Sequence, residues 1–446
     1  MDTETVINAH YVNHLANVNN KKKVVATENI YNQFGALLVP KGTAIEHRVH
    51  DFLVGHKMKK QLDEFITVDG CLTANSLVAE FNKLLALFPD LQQIHQCIDF
   101  GQMLEHLCSV QQIPRILLQK LTILKLQLPT IFEQTLFSTW LGCMLAKEMK
   151  LSPQHIRNTF YVGLLHDLGL LHIDPELISK QGSYSDQEWH SVKHHMMISV
   201  AIAKLIYPFD EEVYRGIKEH HERCDGTGYP KELRNEQLSY SGQLIGLADI
   251  ICHIRTRQYQ QSGKSMANIM PYIQINQHSF KYESYQAMYT LVQRAELEIS
   301  DLLNRKDFLA LPKRLILQRV RITQLHLAFA DFVALFPKET KGKHSKALIE
   351  SCEHIGDTIK RAGLNSPETL DWLESISDSD FNDARQELQE LDSMHYELLW
   401  QFKKVFRIIP DFLQEELPAK AKLAPQLNAH AETMQQNLLQ AWTDYQ

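Results

Sequence analysis

His220-His221-Glu222-Arg223-Cys224-Asp225-Gly226-Thr227-Gly228-Tyr229-Pro230 sets two adjacent imidazoles in front of a run of turn-forming residues. The imidazoles offer lone pairs to a metal, Asp225 accepts hydrogen bonds, and Gly226, Gly228 and Pro230 stop a helix in a tight turn. Such a stretch is a helix end that delivers ligands to a site. A bare His-His pair before a turn also occurs on solvated surfaces, so further ligands must come from elsewhere in the chain.

They are present upstream and downstream. Ser152 and Pro153 supply an N-cap and an N1 proline for a helix that ends in Gly163-Leu164-Leu165-His166-Asp167-Leu168-Gly169. Burying the Asp167 carboxylate beside Leu164 and Leu165 is costly unless its charge is compensated. Ser185 and Glu188 form a capping box at the start of a helix expected to carry Trp189, His194 and His195. Asp249 closes the apolar run Leu244-Ile245-Gly246-Leu247-Ala248.

Taken together, His166-Asp167, His195, His220-His221, Asp225-Gly226-x-Gly228-Tyr229-Pro230 and Asp249 resemble the HD-GYP family, bacterial metal-dependent phosphodiesterases that hydrolyse cyclic di-GMP. The similarity covers about residues 126–300, and Ile173-x-Pro175, Glu188-Trp189 and Glu222-Arg223 agree with it. It implies an HD-type helical bundle, one or two divalent metal ions (iron or manganese), and a cyclic dinucleotide as ligand. By that resemblance Asp167 bridges the metals as the catalytic centre. His166 and Asp249 serve one ion, and His195, His220 and His221 the other. Asp225, Gly226, Gly228, Tyr229 and Pro230 shape the loop, and Arg223, Arg255 and Arg257 are candidates for holding phosphate. The chemistry suits the residue types. Imidazole and carboxylate bind such metals, and a pair of ions about 3.5–4 Å apart neutralises phosphoryl charge and lowers the pKa of bound water.

Four positions depart from the family pattern. Gln134 stands where the family has a further ligand, Leu170 where it has a lysine, Cys252 where it has an aspartate and Gln243 where it has an arginine. No side chain at Leu170 can stabilise developing negative charge. Two readings follow: an active phosphodiesterase, or a metal-holding relative that acts as a nucleotide- or partner-binding regulatory scaffold.

The rest of the chain bounds these readings. The 446 residues are 44% hydrophobic, enough for two or three cores, and the net charge of -7 argues against long nucleic acid as a partner. Seven cysteines without a C-x-x-C pair point to a reducing, cytoplasmic setting, and no apolar run has the length of a membrane span. We expect a mainly α protein in four parts: a small α/β module over 1–70, a helical connector over 71–125, the HD-GYP-like domain over 126–300, and a helical bundle over 301–446 that is an accessory or dimerisation element. In the first part, Val24-Val25-Ala26-Thr27 and Ala36-Leu37-Leu38-Val39 predict a hairpin, Ala44 to His56 a helix, and Phe65 to Val68 a strand. In the last, helices are expected over Leu311 to Phe332, Ser345 to Arg361, Ala384 to Phe406 and Ala419 to Trp442, with breaks at Pro337, Pro367, Pro410 and Pro418.

Overall fold

A computed structural model describes residues 8–54, 56, 62–109, 113–180, 184–256, 264–297, 303–336, 342–416 and 424–445. It is mainly helical, with two small two-stranded sheets. Packing divides the described chain into two compact units. One holds residues up to Glu222, with Glu236–Ile254 and Thr290–Ala295; the other holds Arg223–Asn235, Arg255–Tyr289 and residues from Glu296 onward.

The first unit is built around helix Pro129–Glu148, in which every residue from Gln134 to Ala146 is buried. A helix that is apolar on all sides must be surrounded, and this one packs against Pro153–Leu165, Tyr240–Ile254 and Arg115–Gln127. Pro129 sits at its first turn. Ser152 caps Pro153–Leu165 by accepting from the His155 N–H, as expected. Pro114 is the N-cap residue of Arg115–Gln127.

Three expectations in this unit need correction. Strand Val24–Ala26 does not pair with Leu37–Val39. It pairs antiparallel with Ile66–Val68, in the register Val24 to Val68 and Ala26 to Ile66, while Leu37–Val39 pairs with Ile30–Tyr31. The hairpin is therefore the shorter, later one. Asn32 closes it, its Oδ1 accepting from the N–H groups of Phe34 and Ala36 at 2.9 Å each. The helix begun by the Ser185–Glu188 capping box covers only Asp186–Lys193; a turn at His194 ends it, and His195 opens a second helix, His195–Ile206. The helix expected from Ala44 is shorter as well, His47–Leu53.

The second unit contains the helices Arg305–Ala334, Lys343–Arg361, Pro367–Ser375, Phe381–Asp411 and Ala424–Tyr445. One core joins Phe329, Phe332, Leu348, Ile355, Leu398, Phe402, Leu427 and Met434, and it takes in Ile275 from the preceding segment. Pro410 does not break its helix, which continues to Asp411: at the C-terminal end a proline removes one hydrogen bond and little else. Pro367 begins a helix at its first turn. Pro337 and Pro418 lie outside the described residues. Among those described, no helix is long and apolar enough to cross a membrane.

Candidate metal centre

His166, Asp167, His195, His220, His221 and Asp249 come from four helix ends or segments of the first unit, and all but His221 are buried. His166 and Asp167 follow helix Pro153–Leu165, His195 begins His195–Ile206, His220 and His221 follow Glu211–Glu219, and Asp249 lies within Tyr240–Ile254. Asp167 stands between two of the histidines. Its Oδ2 is 3.3 Å from His166 Nε2 and its Oδ1 is 3.5 Å from His195 Nε2.

The imidazoles share one mode of support. His166, His195 and His220 each place Nδ1 2.7 Å from a backbone carbonyl, those of Gly163, Val192 and Ile217, three residues earlier in each case. A carbonyl can only accept, so Nδ1 carries the proton and Nε2 is left with its lone pair. The Nε2 atoms of His166 and His195 and the Oδ1 of Asp249 are buried without a hydrogen-bond partner. Candidate ligand atoms of His195, His220 and His221 lie within 4.8 Å of one another, as do those of His166, Asp167 and His220. Orphaned lone pairs gathered around a carboxylate suit a cation, and the donor set fits a divalent metal.

The electrostatics agree. Burial opposes charge on His166, but Asp167 and then Asp249 outweigh it and push its pKa up to about 9. Burial likewise works against the Asp167 carboxylate, which His166 and His195 nevertheless hold well below its usual range. Burial and then the neighbouring His166 and His195 push His220 down to about 3. Burial lowers His195 against the pull of Asp167. The cluster thus sets neutral His195 and His220 beside the Asp167 carboxylate, while His166 alone is held in its protonated form by the negative charge of Asp167 and Asp249.

The turn after the His-Asp pair approaches His195 closely because Gly169 lacks a side chain. A Cβ there would sit 2.0 Å from the His195 carbonyl oxygen. Ser199 fastens the same approach, its Oγ donating to the His166 carbonyl at 2.7 Å and accepting from the Gly169 N–H at 2.8 Å. Sequence reasoning missed Ser199, since a serine in an apolar helix carries no motif.

An HD domain model matches residues 119–285. Among curated proteins, the 3'3'-cGAMP-specific phosphodiesterase 1 of Vibrio cholerae is 27% identical over 126 residues, 28% of this chain and 29% of that protein. The cyclic di-GMP phosphodiesterase of Thermotoga maritima is 26% identical over 168 residues, 37% of this chain and 45% of its own. Cyclic di-GMP phosphodiesterase PdeB of Borreliella burgdorferi is 30% identical over 130 residues, 29% of this chain and 34% of its own. The central part of this chain is a divergent HD-GYP domain. The chain spans less than half the length of each of these relatives.

Other residues of this HD-GYP domain fall as follows. Gln134 and Leu170 are buried, and Gln243 donates from Nε2 to the Glu222 carbonyl at 3.2 Å, holding the backbone that follows His220 and His221. Cys252 is buried in Tyr240–Ile254. Of the cations considered for phosphate, Arg223 stacks on the Phe280 ring at 5.2 Å, Arg255 is buried, and Arg257 lies outside the described residues. In the loop, Asp225 accepts from the Thr227 N–H at 2.9 Å, from the Thr227 hydroxyl at 2.6 Å and from the Ser279 hydroxyl at 2.6 Å. Gly226 has φ +77°, a conformation that glycine adopts without strain. Gly228 is buried, Tyr229 half-buried and Pro230 exposed. Burial pushes the Cys224 thiol up to about 11, which makes it a poor nucleophile.

Proposed function

We propose that the chain is a metal-dependent phosphodiesterase for a cyclic dinucleotide, with cyclic di-GMP as the first candidate. His166, Asp167, His195, His220, His221 and Asp249 are its metal ligands, and iron or manganese is the expected metal. The observation that carries this reading is the common pinning of three imidazoles through Nδ1, which turns their Nε2 lone pairs toward ligand duty around Asp167. His194, His253 and His430 also set Nδ1 against a backbone carbonyl, four residues back, so what distinguishes this set is that its ligand atoms gather around one carboxylate.

Divalent ions held by this set would neutralise phosphoryl charge and activate water. The chain's own part is to orient. Asp167 presents one oxygen to the His166 side and the other to the His195 side, so its carboxylate would be shared between the two groups of histidines that would hold metal. The backbone carbonyls of Gly163, Val192 and Ile217 fix the tautomers, and Ser199 fixes the distance between the His-Asp turn and His195.

A second reading is favoured by Leu170 and Gln134, which put an apolar group and a neutral amide where the family pattern has a lysine and a ligand. It makes the domain a regulatory scaffold that binds nucleotide or a signalling partner. The deciding experiment measures metal content and cyclic di-GMP hydrolysis for the purified full chain, Asp167→Ala, and the Gln134→His, Leu170→Lys double variant. We expect bound metal in the unsubstituted protein and at least about a tenfold loss in Asp167→Ala. Unchanged metal in Asp167→Ala would sink the ligand assignment. Metal without hydrolysis, with activity gained in the double variant, selects the scaffold.

A further inference from the structure

The loop Arg223–Asn235, which follows the candidate ligands His220 and His221 directly in sequence, packs in the same unit as the C-terminal helices. One face of helix Lys343–Arg361 meets this loop and the segment beyond it. Lys343 Nζ lies 3.3 Å from Glu232 Oε1, Glu350 forms an ion pair with Arg234, and the His354 ring stacks on His278 with centroids 4.3 Å apart. Residues 343, 350 and 354 are spaced seven and four apart, the interval that keeps side chains on one side of a helix.

Arg234 is the link into the motif. Asp225 and Arg234 form an isolated β-bridge, and the Arg234 guanidinium lies so close over Gly226 that a Cβ there would be 2.9 Å from its Cζ, Nε and Nη2. Gly226 is therefore glycine twice over, for its positive φ and for the guanidinium that covers it. The carboxylate that engages this guanidinium stands on a firmly held helix. Glu416 receives the N–H groups of His344 and Ser345 at 2.6 and 3.0 Å, capping the helix start, and Leu348, Cys352, Ile355 and Ile359 anchor its other face in the core. The far side of the loop is tied down as well. Cys224 donates its N–H to the Ser279 carbonyl at 3.0 Å, and Lys281 Nζ donates to the Asn235 carbonyl at 3.1 Å.

We propose that Glu350 is a positioning residue: through Arg234 it sets the conformation of the Asp225–Pro230 loop, so that the C-terminal bundle controls how the protein holds a cyclic dinucleotide. The link to nucleotide rests on the function proposed above; the link between Glu350 and the loop does not. Removing the carboxylate takes one partner from a guanidinium that is packed over Gly226, and the loop loses that tie to the helix.

The test uses the full chain with its metal. Hydrogen exchange of residues 223–235, cyclic di-GMP affinity and metal content are compared for the unsubstituted protein, Glu350→Gln and Glu350→Asp. In Glu350→Gln we expect faster exchange confined to the loop and its contacts, roughly tenfold weaker cyclic di-GMP binding, and unchanged metal, with Glu350→Asp recovering most of both effects. Unchanged exchange in Glu350→Gln overturns the proposal, and so does unchanged affinity at normal metal content. If the unsubstituted protein binds no cyclic di-GMP, the proposed function fails by itself, while the exchange measurement still decides the role of Glu350.

Discussion

Ser199 shows how much a residue with no motif can decide. It is fully buried and serves two backbone groups, the His166 carbonyl and the Gly169 N–H. Ser199→Ala leaves both without that hydroxyl, and we expect a loss of about 1–3 kcal/mol in denaturant-determined stability together with roughly tenfold weaker metal binding by titration. Gly169→Ala should act more severely, because the added Cβ lies 2.0 Å from backbone and the turn carrying His166 and Asp167 must move away from His195. Metal lost at retained helical content is the expected result. At this scale the candidate residues were legible in the sequence because metals restrict ligands to few residue types, and the atoms of Asp167, His166, His195, His220 and His221 lie near one another in two overlapping groups. The supports were hidden. Ser199 and Arg234 act through backbone contact and close approach, and neither leaves a spacing signature.

Elements were legible where the chain itself marks their ends and obscure where partners are distant. Ser152-Pro153 and the Ser185–Glu188 box announce helix starts, and both are found. The partner of Val24–Ala26 lies some forty residues on, at Ile66–Val68, beyond the reach of local turn chemistry. Helix Phe381–Asp411 carries a feature that periodicity also conceals, two buried titratable groups. Burial raises Glu397 to about 7, against the opposing pull of Lys404 and a 2.8 Å hydrogen bond from Asn276. Its folded form thus binds a proton more tightly than the unfolded chain. The stability this contributes is full below an ordinary glutamate pKa and is lost as pH rises through about 7. His395 runs the other way: burial, then Arg319, lowers it to about 4, so stability is full above an ordinary histidine pKa and falls as pH drops toward 4. Glu397→Gln, which keeps the acceptor for Asn276, should therefore stabilise the bundle at pH 8 by up to about 3 kcal/mol and change little at pH 4.5. Thermal melts of the two proteins across that range supply the check, and equal shifts at both ends would contradict it.

At the scale of the whole molecule, chain order and packing follow different lines. Residues 255–289 precede the expected bundle boundary at 300, yet they pack in the same unit as the C-terminal helices. Ile275 is part of the core with Phe402 and Phe329, Asn276 donates to Glu397 at 2.8 Å, and Gln401 donates to the Ile275 carbonyl at 3.0 Å. Composition gives no sign of this, because a segment that completes a neighbouring core looks like any other apolar helix. The matched HD domain extends to residue 285, so its last part packs against helices that lie outside the match. A chain ending at 300 would leave Ile275 without its core and Asn276 without its carboxylate, and it would also remove Glu350 from Arg234. Exposed apolar surface and unpartnered polar groups both oppose folding. The fragment covering 1–300 should accordingly show rapid proteolysis within 264–289 and 223–235 and a tendency to aggregate, whereas the full chain resists cleavage at those segments. Equal protection of both segments in the two proteins would mean that residues 255–289 hold their structure without the bundle, and that the HD domain is self-sufficient.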